Sequence, residues 1–390
     1  MSDVKTLKQT RLLEGVKDYT PKEILRELRE RPWRAGPYGK QNWGIWLHSI
    51  APYVGRIKPA FAHWLIRICT RPKDIVLDPF CGIGTIPLEA DLLGRRAIGL
   101  ELNPYALVVS KAKFDRRPLN EEIRWLKDLR LDLDSVKLEE VSPYIRQFYH
   151  EQTLKEMFAL KNEIIREHKI FLLGCLLGIA HGHRPQHLSA YTGYIVPYRK
   201  AKVPPKRYRA VIPRMIRKVR RMYTNPFPLK TEGEIIEADA RAMPFKDESI
   251  DTVISSPPYY STIDYVESNR LRLAILGFDD KMQKDLKEDL IQKDKTYLNE
   301  MKKVGQEIYR ILKPESYCIL VLGDFPKSKT SINTAEKVSE LFSELGFETY
   351  GIIEDEIPTA KRTVLKWSGE DALKSMKTKL DRIVVMKVNK

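Results

Sequence analysis

Between His168 and Thr231 the chain has no aspartate and no glutamate, yet fourteen lysines and arginines fall in that stretch. The whole chain carries a net charge of +16, so everything outside this block contributes only +2. A charge excess confined to one region has a polyanion as its natural partner, because neutralising phosphates releases counterions and gives sequence-independent affinity. Long apolar runs are also missing. The longest, Ile170 to Ala180, falls well short of the roughly 18 residues that a membrane span needs. The amino terminus opens on polar Met1-Ser2-Asp3-Val4-Lys5 without an apolar stretch behind it, so export is not expected. Cysteine is scarce and scattered, at Cys69, Cys81, Cys175 and Cys318, with no C-x-x-C pair. That excludes a disulfide scaffold and points to a reducing, cytoplasmic setting. Gln and Asn are sparse beside Lys, Arg and Glu, a balance that suits a heat-adapted protein.

What is present reads as α/β. After an amphipathic helix expected over Leu12 to Arg31 and an aromatic, turn-rich stretch from Pro32 to Gly55, helical spacing returns over Pro59 to Arg71. A buried strand, Asp74 to Asp78, then runs into Pro79-Phe80-Cys81-Gly82-Ile83-Gly84-Thr85, and a helix begins near Ile86. The second strand, Arg96 to Leu100, ends in Glu101. Between it and a third strand at Glu234 to Ala240 lies an insertion of roughly 118 residues, Phe114 to Thr231, far more than a crossover helix requires. Further strands are expected within Asp251 to Ser255, Tyr317 to Leu322, Phe347 to Ile353 and Arg382 to Val388. Helices are expected at Glu267 to Leu276, Tyr297 to Leu312 and Thr334 to Leu345.

A glycine-containing turn between a buried strand and a helix lets a ligand approach the backbone closely, at the sheet edge where open α/β folds bind nucleotides. Asp78 and Glu101 lie 23 positions apart, close to the spacing at which a second-strand acid reaches ribose hydroxyls. A dinucleotide site is the rival reading. Yet G-x-G-x-x-G is absent, since Pro87 takes the third position, and Asp78 would repel a pyrophosphate at the mouth. A nucleoside carrying a cation fits better.

Ser256-Pro257-Pro258-Tyr259 follows the apolar run that ends at Ser255. Two prolines with fixed φ and no N–H make a rigid corner whose carbonyls stay free to accept hydrogen bonds. A hydroxyl, a fixed carbonyl and an aromatic ring at a strand's end form a clamp for a planar base with an amino group. A plain proline-rich turn is the bland alternative.

Asp78-Pro79-Phe80-Cys81-Gly82-Ile83-Gly84-Thr85, Gly99-Leu100-Glu101-Leu102-Asn103-Pro104 and Ser256-Pro257-Pro258-Tyr259, in that order, resemble the S-adenosylmethionine-dependent amino-methyltransferases of nucleic-acid bases. Tyr53 to Ile66 resembles the methionine-side motif of the same family. The resemblance implies a Rossmann-like class I methyltransferase fold, a mostly parallel seven-stranded sheet, with an antiparallel last pair. It implies S-adenosyl-L-methionine as cofactor, held by Asp78, Pro79, Phe80, Cys81, Gly82, Gly84 and Thr85 on the methionine side. Glu101 would take the ribose, Leu102 and Asn103 would adjoin the adenine, and Asp239, Ala240 and Ser255 would complete the site. Ser256, Pro257, Pro258 and Tyr259 would clamp the base, with Tyr259 stacking on it. Cys81, in the cofactor loop, is not expected to act as a nucleophile. Serine in the first tetrad position resembles the cytosine-N4 enzymes more than the adenine-N6 ones. The chain also resembles archaeal N4-cytidine ribosomal RNA methyltransferases, so structured RNA is the expected polymer, with DNA cytosine-N4 methylation as the alternative. A non-catalytic nucleic-acid-binding protein would need neither Asp78, Glu101 nor Ser256.

These features predict three parts: an N-terminal helical segment at 1–72, a catalytic domain at 73–115 and 232–390, and a basic insertion at 116–231. Helices are expected at Asn120 to Leu133, Tyr144 to Lys169, Ile170 to Ala180 and Pro213 to Tyr223. Arg199, Lys200, Lys206, Arg207, Arg209, Arg214, Arg217, Lys218 and Arg221 are the candidate nucleic-acid contacts. The last four of these share one helix face, and tyrosines between the basic residues suit base stacking. His181, His183 and His187 lie near Cys175, but without a paired ligand frame no metal is expected.

Overall fold

The computed structural model describes residues 18–40, 43–182, 186–190, 205–228, 231–259, 264–291, 293, 295–323, 325–327, 330–356 and 380–390. Seven strands form the central sheet: β1 (Ile75–Asp78), β2 (Arg96–Leu100), β3 (Glu234–Ile236), β4 (Ile250–Ser255), β5 (Leu312–Gly323), β6 (Phe347–Glu356) and β7 (Leu380–Val388). Their order is β3-β2-β1-β4-β5-β7-β6. The first five run parallel and β7 is antiparallel to both of its neighbours. This is the expected Rossmann-like methyltransferase arrangement. Its order reverses at β1 and β4, which places a crevice at their carboxyl ends.

Side chains alternate across the sheet because successive strand residues point to opposite faces. Val76, Ala97, Ile254, Ile319 and Val385 face one way, against α1 (Pro21–Glu30), α2 (Pro59–Cys69) and α3 (Thr85–Leu92). Leu77, Ile98, Val253, Leu320 and Val384 face the other way, against Tyr297, Met301 and Val304 of the helix Tyr297–Ile311 and Phe342 of Thr334–Ser343. Being covered on both faces explains why the central strands read as continuous apolar runs rather than as alternating ones.

A third core lies beside this sandwich. α4 (Pro104–Ala112) packs with α5 (Leu119–Asp128), α6 (Pro143–Arg146), α7 (Glu151–Arg166), α8 (Ile170–Ala180) and α9 (Val211–Met222). The same cluster takes in Ile45, Leu47 and Ile50 ahead of the sheet and Leu271, Leu273 and Ile275 after β4. The contact between α8 and Ile50 is close: a Cβ added at Gly178 would stand 2.0 Å from the Ile50 carbonyl oxygen. The single helix expected over Tyr144 to Lys169 is instead broken at His150, whose Nδ1 accepts from the Gln152 N–H and caps α7.

A buried acid ties the first segments together. Glu89 on α3 receives His48 Nε2 at 2.7 Å and His63 Nδ1 at 2.8 Å. The two imidazoles hold its carboxyl well below the usual range against the opposing effect of burial, while burial pushes His48 down to about 4.

Candidate active site

At the carboxyl ends of β1, β2 and β4 a pocket encloses about 860 Å³, its open mouth included. The Asp78–Thr85 loop forms its floor. Gly82 and Gly84 have φ of +53° and +68°, a left-handed region that disfavours side-chain-bearing residues. Gly84 also lacks room, since an added Cβ would meet the Ser110 Cβ at 2.9 Å. Cys81 N–H donates to the Leu100 carbonyl and Gly84 N–H to the Cys81 carbonyl, so the loop folds back over the end of β2. Gly99 makes that fold possible, because a Cβ there would fall 2.8 Å from Cys81 Sγ.

Asp78, Pro79, Phe80, Cys81, Gly82, Thr85, Glu101, Leu102, Asn103, Asp239 and Ala240 all line the pocket, as do Ser256 and Pro258 of the tetrad. Gly84 and Ser255 stand behind the wall and support it: Ser255 Oγ donates to Asp78 Oδ1 at 2.6 Å. Asp78 also receives the Phe80 N–H at 3.1 Å. Burial nevertheless pushes its carboxyl up to about 7, with the nearby Glu101 charge adding to the rise. Glu101 is pushed to about 7 as well, again by burial, although Asn103 donates to its Oε1 at 2.8 Å. Two carboxylates held near their midpoint in one pocket favour a cationic ligand, which would restore their charge.

The lining suits a cationic nucleoside on two further counts. Thr85 Oγ1 and Asn103 Nδ2 are buried polar atoms without a hydrogen-bond partner among the described residues, the kind of orphan that a polar ligand satisfies. Asn103 Oδ1 is already used, since it caps α4 by accepting from Tyr105 and Ala106 N–H. The backbone approach at Gly82 is open apart from Tyr53, whose Cε1 would be 3.4 Å from an added Cβ.

Several residues sit differently from the sequence reading. Asp239 is engaged by Arg241, which donates from its backbone N–H and from Nε and a terminal nitrogen at 2.6 to 3.0 Å. Its oxygens are therefore held before any ligand arrives. Tyr259 and Pro257 do not line the pocket, and the Tyr259 hydroxyl donates to Asp381 Oδ1 at 2.8 Å. The aromatic wall comes from Tyr53, which opens the methionine-side motif, and from Tyr265, to which the sequence reading gave no site role; their rings stack 5.9 Å apart at 24°. Leu290 and Ile291 close the far side.

On the insertion, Lys218 turns inward: its Nζ donates to the Ser49 carbonyl at 2.9 Å, and burial lowers its amine to about 8. Arg221 lies over the Trp46 ring at 4.2 Å. The apolar stripe Val211, Met215, Val219 and Met222 seats α9 on the third core, and i, i+3 spacing brings Lys218 and Arg221 to the edge of that seat. Arg217 is exposed, as are Lys206 and Arg207. Lys206 Nζ reaches the Arg146 carbonyl. Arg209 binds the His187 carbonyl at 2.6 Å and Arg214 the Ala210 carbonyl at 3.0 Å. Arg199, Lys200 and His183 lie outside the described residues. His181 is buried with Nδ1 3.0 Å from Ser189 Oγ. Among the described residues no group of His, Cys, Asp and Glu is placed to hold a metal, and no helix is long and apolar enough to cross a membrane.

Residues 33–112 match a family model described as DNA methylase. The type II methyltransferase M.SmaI of Serratia marcescens is 31% identical over 110 residues, 27% of this chain and 37% of that protein. M.MjaII of Methanocaldococcus jannaschii is 25% identical over 114 residues, 29% of this chain and 20% of that one. The crystal structure of TrmN from Thermus thermophilus is 12% identical, covering 88% of this chain and 52% of its own, with a TM-score of 0.37. The matches to the two type II enzymes thus span between a fifth and just over a third of those proteins. The resemblance to the nucleic-acid amino-methyltransferases is therefore met by a family match over residues 33–112, carried on a sheet of the Rossmann-like methyltransferase order.

Proposed function

We propose that this chain transfers a methyl group from S-adenosyl-L-methionine to the exocyclic amino group of a nucleic-acid base, with cytosine N4 as the target and DNA as the polymer. The observation that carries this reading is that Ser256 and Pro258 share one pocket with Asp78 and Glu101, so a base clamp and an acid-marked nucleoside site face each other. The family description and the names of the type II relatives favour DNA over the structured RNA that the resemblance to archaeal ribosomal RNA methyltransferases led us to expect. Serine at the head of the tetrad is what favours cytosine N4 over adenine N6.

S-adenosyl-L-methionine, when bound, supplies a methyl group on a positively charged sulfur that leaves as a neutral thioether. The chain's own residues bind and orient. Asp78 faces the cationic end, Glu101 accepts from ribose hydroxyls, and the Gly82 turn lets the methionine part lie against the backbone. Asp239, already forked by Arg241, contributes through Ala238 and Ala240 beside it and a firm wall rather than through a free carboxylate. An exocyclic amine is a weak nucleophile because its lone pair is drawn into the ring. Accepting its two hydrogens at Ser256 and at a carbonyl fixed by Pro257 and Pro258 draws the nitrogen toward tetrahedral geometry and aims the lone pair at the methyl; the nitrogen, cationic once methylated, then gives up one of those two protons to solvent. Orientation and preorganised electrostatics then do most of the acceleration. In this reading 1–72 braces the pocket, 73–115 with 232–390 forms the catalytic domain, and 116–231 engages the polymer through exposed basic residues such as Lys206, Arg207 and Arg217.

Incubation with labelled S-adenosyl-L-methionine and either unmethylated plasmid DNA or ribosomal RNA, followed by nucleoside mass spectrometry, tests the proposal. N4-methylcytosine in the DNA is the expected product. The same product in RNA alone would overturn the polymer, N6-methyladenine would overturn the base, and no labelled nucleoside in either would overturn the activity.

A further inference from the structure

A second, smaller pocket of about 270 Å³, its open mouth included, adjoins the cofactor site. Trp43, Trp46, His48 and Ser49 line it, and Arg56 lines both pockets. The volume falls just below the roughly 300–1,000 Å³ of pockets that hold a whole small molecule, so it suits one group of a larger ligand anchored next door. The charges differ as well. Asp78, Glu101 and Asp239 stand in the wall of the cofactor pocket, whereas among the described residues the second pocket has Arg56 and no acid in its lining.

His48 brings an unmatched polar atom to this lining. Its Nε2 and the Nδ1 of His63 both meet Glu89, at 2.7 and 2.8 Å, and an ionised carboxylate can only accept. The His48 proton therefore sits on Nε2, and Nδ1 is left as a lone pair. His48 is 2% exposed, and among the described residues its Nδ1 has no hydrogen-bond partner. A buried acceptor of this kind is satisfied by a ligand that brings an N–H. Arg56 is held at the same place, donating from a terminal nitrogen to the His48 carbonyl. On its other side the pocket touches α9: Lys218 Nζ donates to the Ser49 carbonyl, and Arg221 lies over the Trp46 ring. Arg217 and Arg220 are exposed on that helix.

We propose that the second pocket is a subsite for the unpaired nucleotide beside the target base, with a base N–H on His48 Nδ1, the base plane against the indoles of Trp43 and Trp46, and the phosphate on Arg56. The inference rests on the base methylation proposed above. A strand that enters the cofactor pocket with its target base and lies along α9 passes this opening on the way. Three acids keep phosphate out of the first pocket, and the shared arginine draws it to the boundary between the two. Each of the four DNA bases carries at least one N–H on its edge, and every base has a face to stack, so the subsite holds a neighbour without reading its identity.

The test uses the full chain saturated with S-adenosyl-L-homocysteine, which has no methyl group to give, and calorimetric titration with dCMP, the trinucleotide d(TpCpT) and the same trinucleotide N3-methylated on both thymines, which removes their only N–H. Ribonucleotide counterparts are run beside them. The wild type is expected to bind d(TpCpT) more tightly than dCMP by about fivefold or more, the scale of one stacked base, and to lose most of that gain with the N3-methylated probe. Ser49→Leu fills the second pocket and leaves the Ser49 carbonyl to Lys218. It should cut the gain to about twofold or less, with dCMP affinity, cofactor affinity and melting temperature unchanged. Arg56→Gln removes the shared charge and should cut the gain as well. No gain in the wild type, or the full gain kept in both variants, would overturn the subsite. Equal binding of the methylated and unmethylated trinucleotides would overturn the contact to His48, and Arg56→Gln that weakens the cofactor alone would overturn the role of Arg56. Binding of no probe, together with no methyl transfer to DNA or RNA, would overturn the proposed activity, and the subsite with it.

Discussion

Ser255 Oγ donates to Asp78 Oδ1 at 2.6 Å, joining the last residues of two adjacent parallel strands behind the pocket wall. The bond opposes the upward push of burial on Asp78 and fixes which way the carboxylate faces. Ser255→Ala removes the donor and leaves an acid that ionises less readily. The expected result is a several-fold weaker affinity for S-adenosyl-L-methionine at neutral pH by calorimetric titration, with stability lower by about 1–3 kcal/mol. Unchanged cofactor affinity would separate Asp78 from the ligand.

Cofactor affinity should weaken as pH falls. Asp78 and Glu101 both titrate near 7 in the folded protein, above the unfolded values near 4. Such raised groups favour the folded state most at pH values below about 4, and that contribution is lost as pH rises through 7, where both carboxylates are forced to ionise in a buried site. A cationic ligand relieves this strain only when they are ionised. The thermal shift produced by S-adenosyl-L-methionine should therefore be larger at pH 8 than at pH 6, and calorimetry should register proton release on binding near pH 6.5. Glu101→Gln should flatten the profile.

Glu89 should behave as a stability residue without contact to ligand. It is fully buried between His48 and His63, so Glu89→Ala leaves two imidazoles without their acceptor. Each buried polar group left without its partner costs about 1–3 kcal/mol, so the loss should be of that order or above. Glu89→Gln, which can satisfy one imidazole, should cost clearly less. Denaturant unfolding measures both, and an Ala variant within 1 kcal/mol of wild type would show that the cluster is dispensable.

Arg217 and Lys218 are neighbours in sequence with opposite expected effects. Arg217→Ala removes an exposed charge and should weaken DNA binding with a salt slope shallower by about one. Lys218→Ala removes the bond to the Ser49 carbonyl and should lower the melting temperature while leaving the salt slope unchanged. Filter binding over a range of salt concentrations separates the two, and a shared effect on the slope would mean that Lys218 reaches the polymer after all.

The sheet was readable from the sequence because β1, β2 and β4 are short apolar runs bounded by turn formers, and α8 matched from Ile170 to Ala180. The pocket floor was readable for the same reason, since Gly82 and Gly84 answer to backbone geometry that leaves its mark in the chain itself. Distant pairings were not readable. Nothing near Tyr259 announces Asp381, 122 positions away, and nothing in the spacing of α9 says that Lys218 meets Ser49, because that depends on where Val211, Met215, Val219 and Met222 seat the helix. Asp239 is an intermediate case: Arg241 stands two residues on, and an acid with a basic neighbour at that spacing signals a local fork. Tyr265 left no signal, because its place in the wall depends on its stacking with Tyr53.

Gly178 on α8 admits the Ile50 carbonyl oxygen at a distance that no larger residue would allow, and Ile50 stands three positions before Tyr53 in the pocket wall. The helix core of the insertion and the chain leading into the pocket wall are therefore pressed backbone to backbone, so a side chain at Gly178 would have to move Ile50, and the stretch of chain it belongs to, before it could fit.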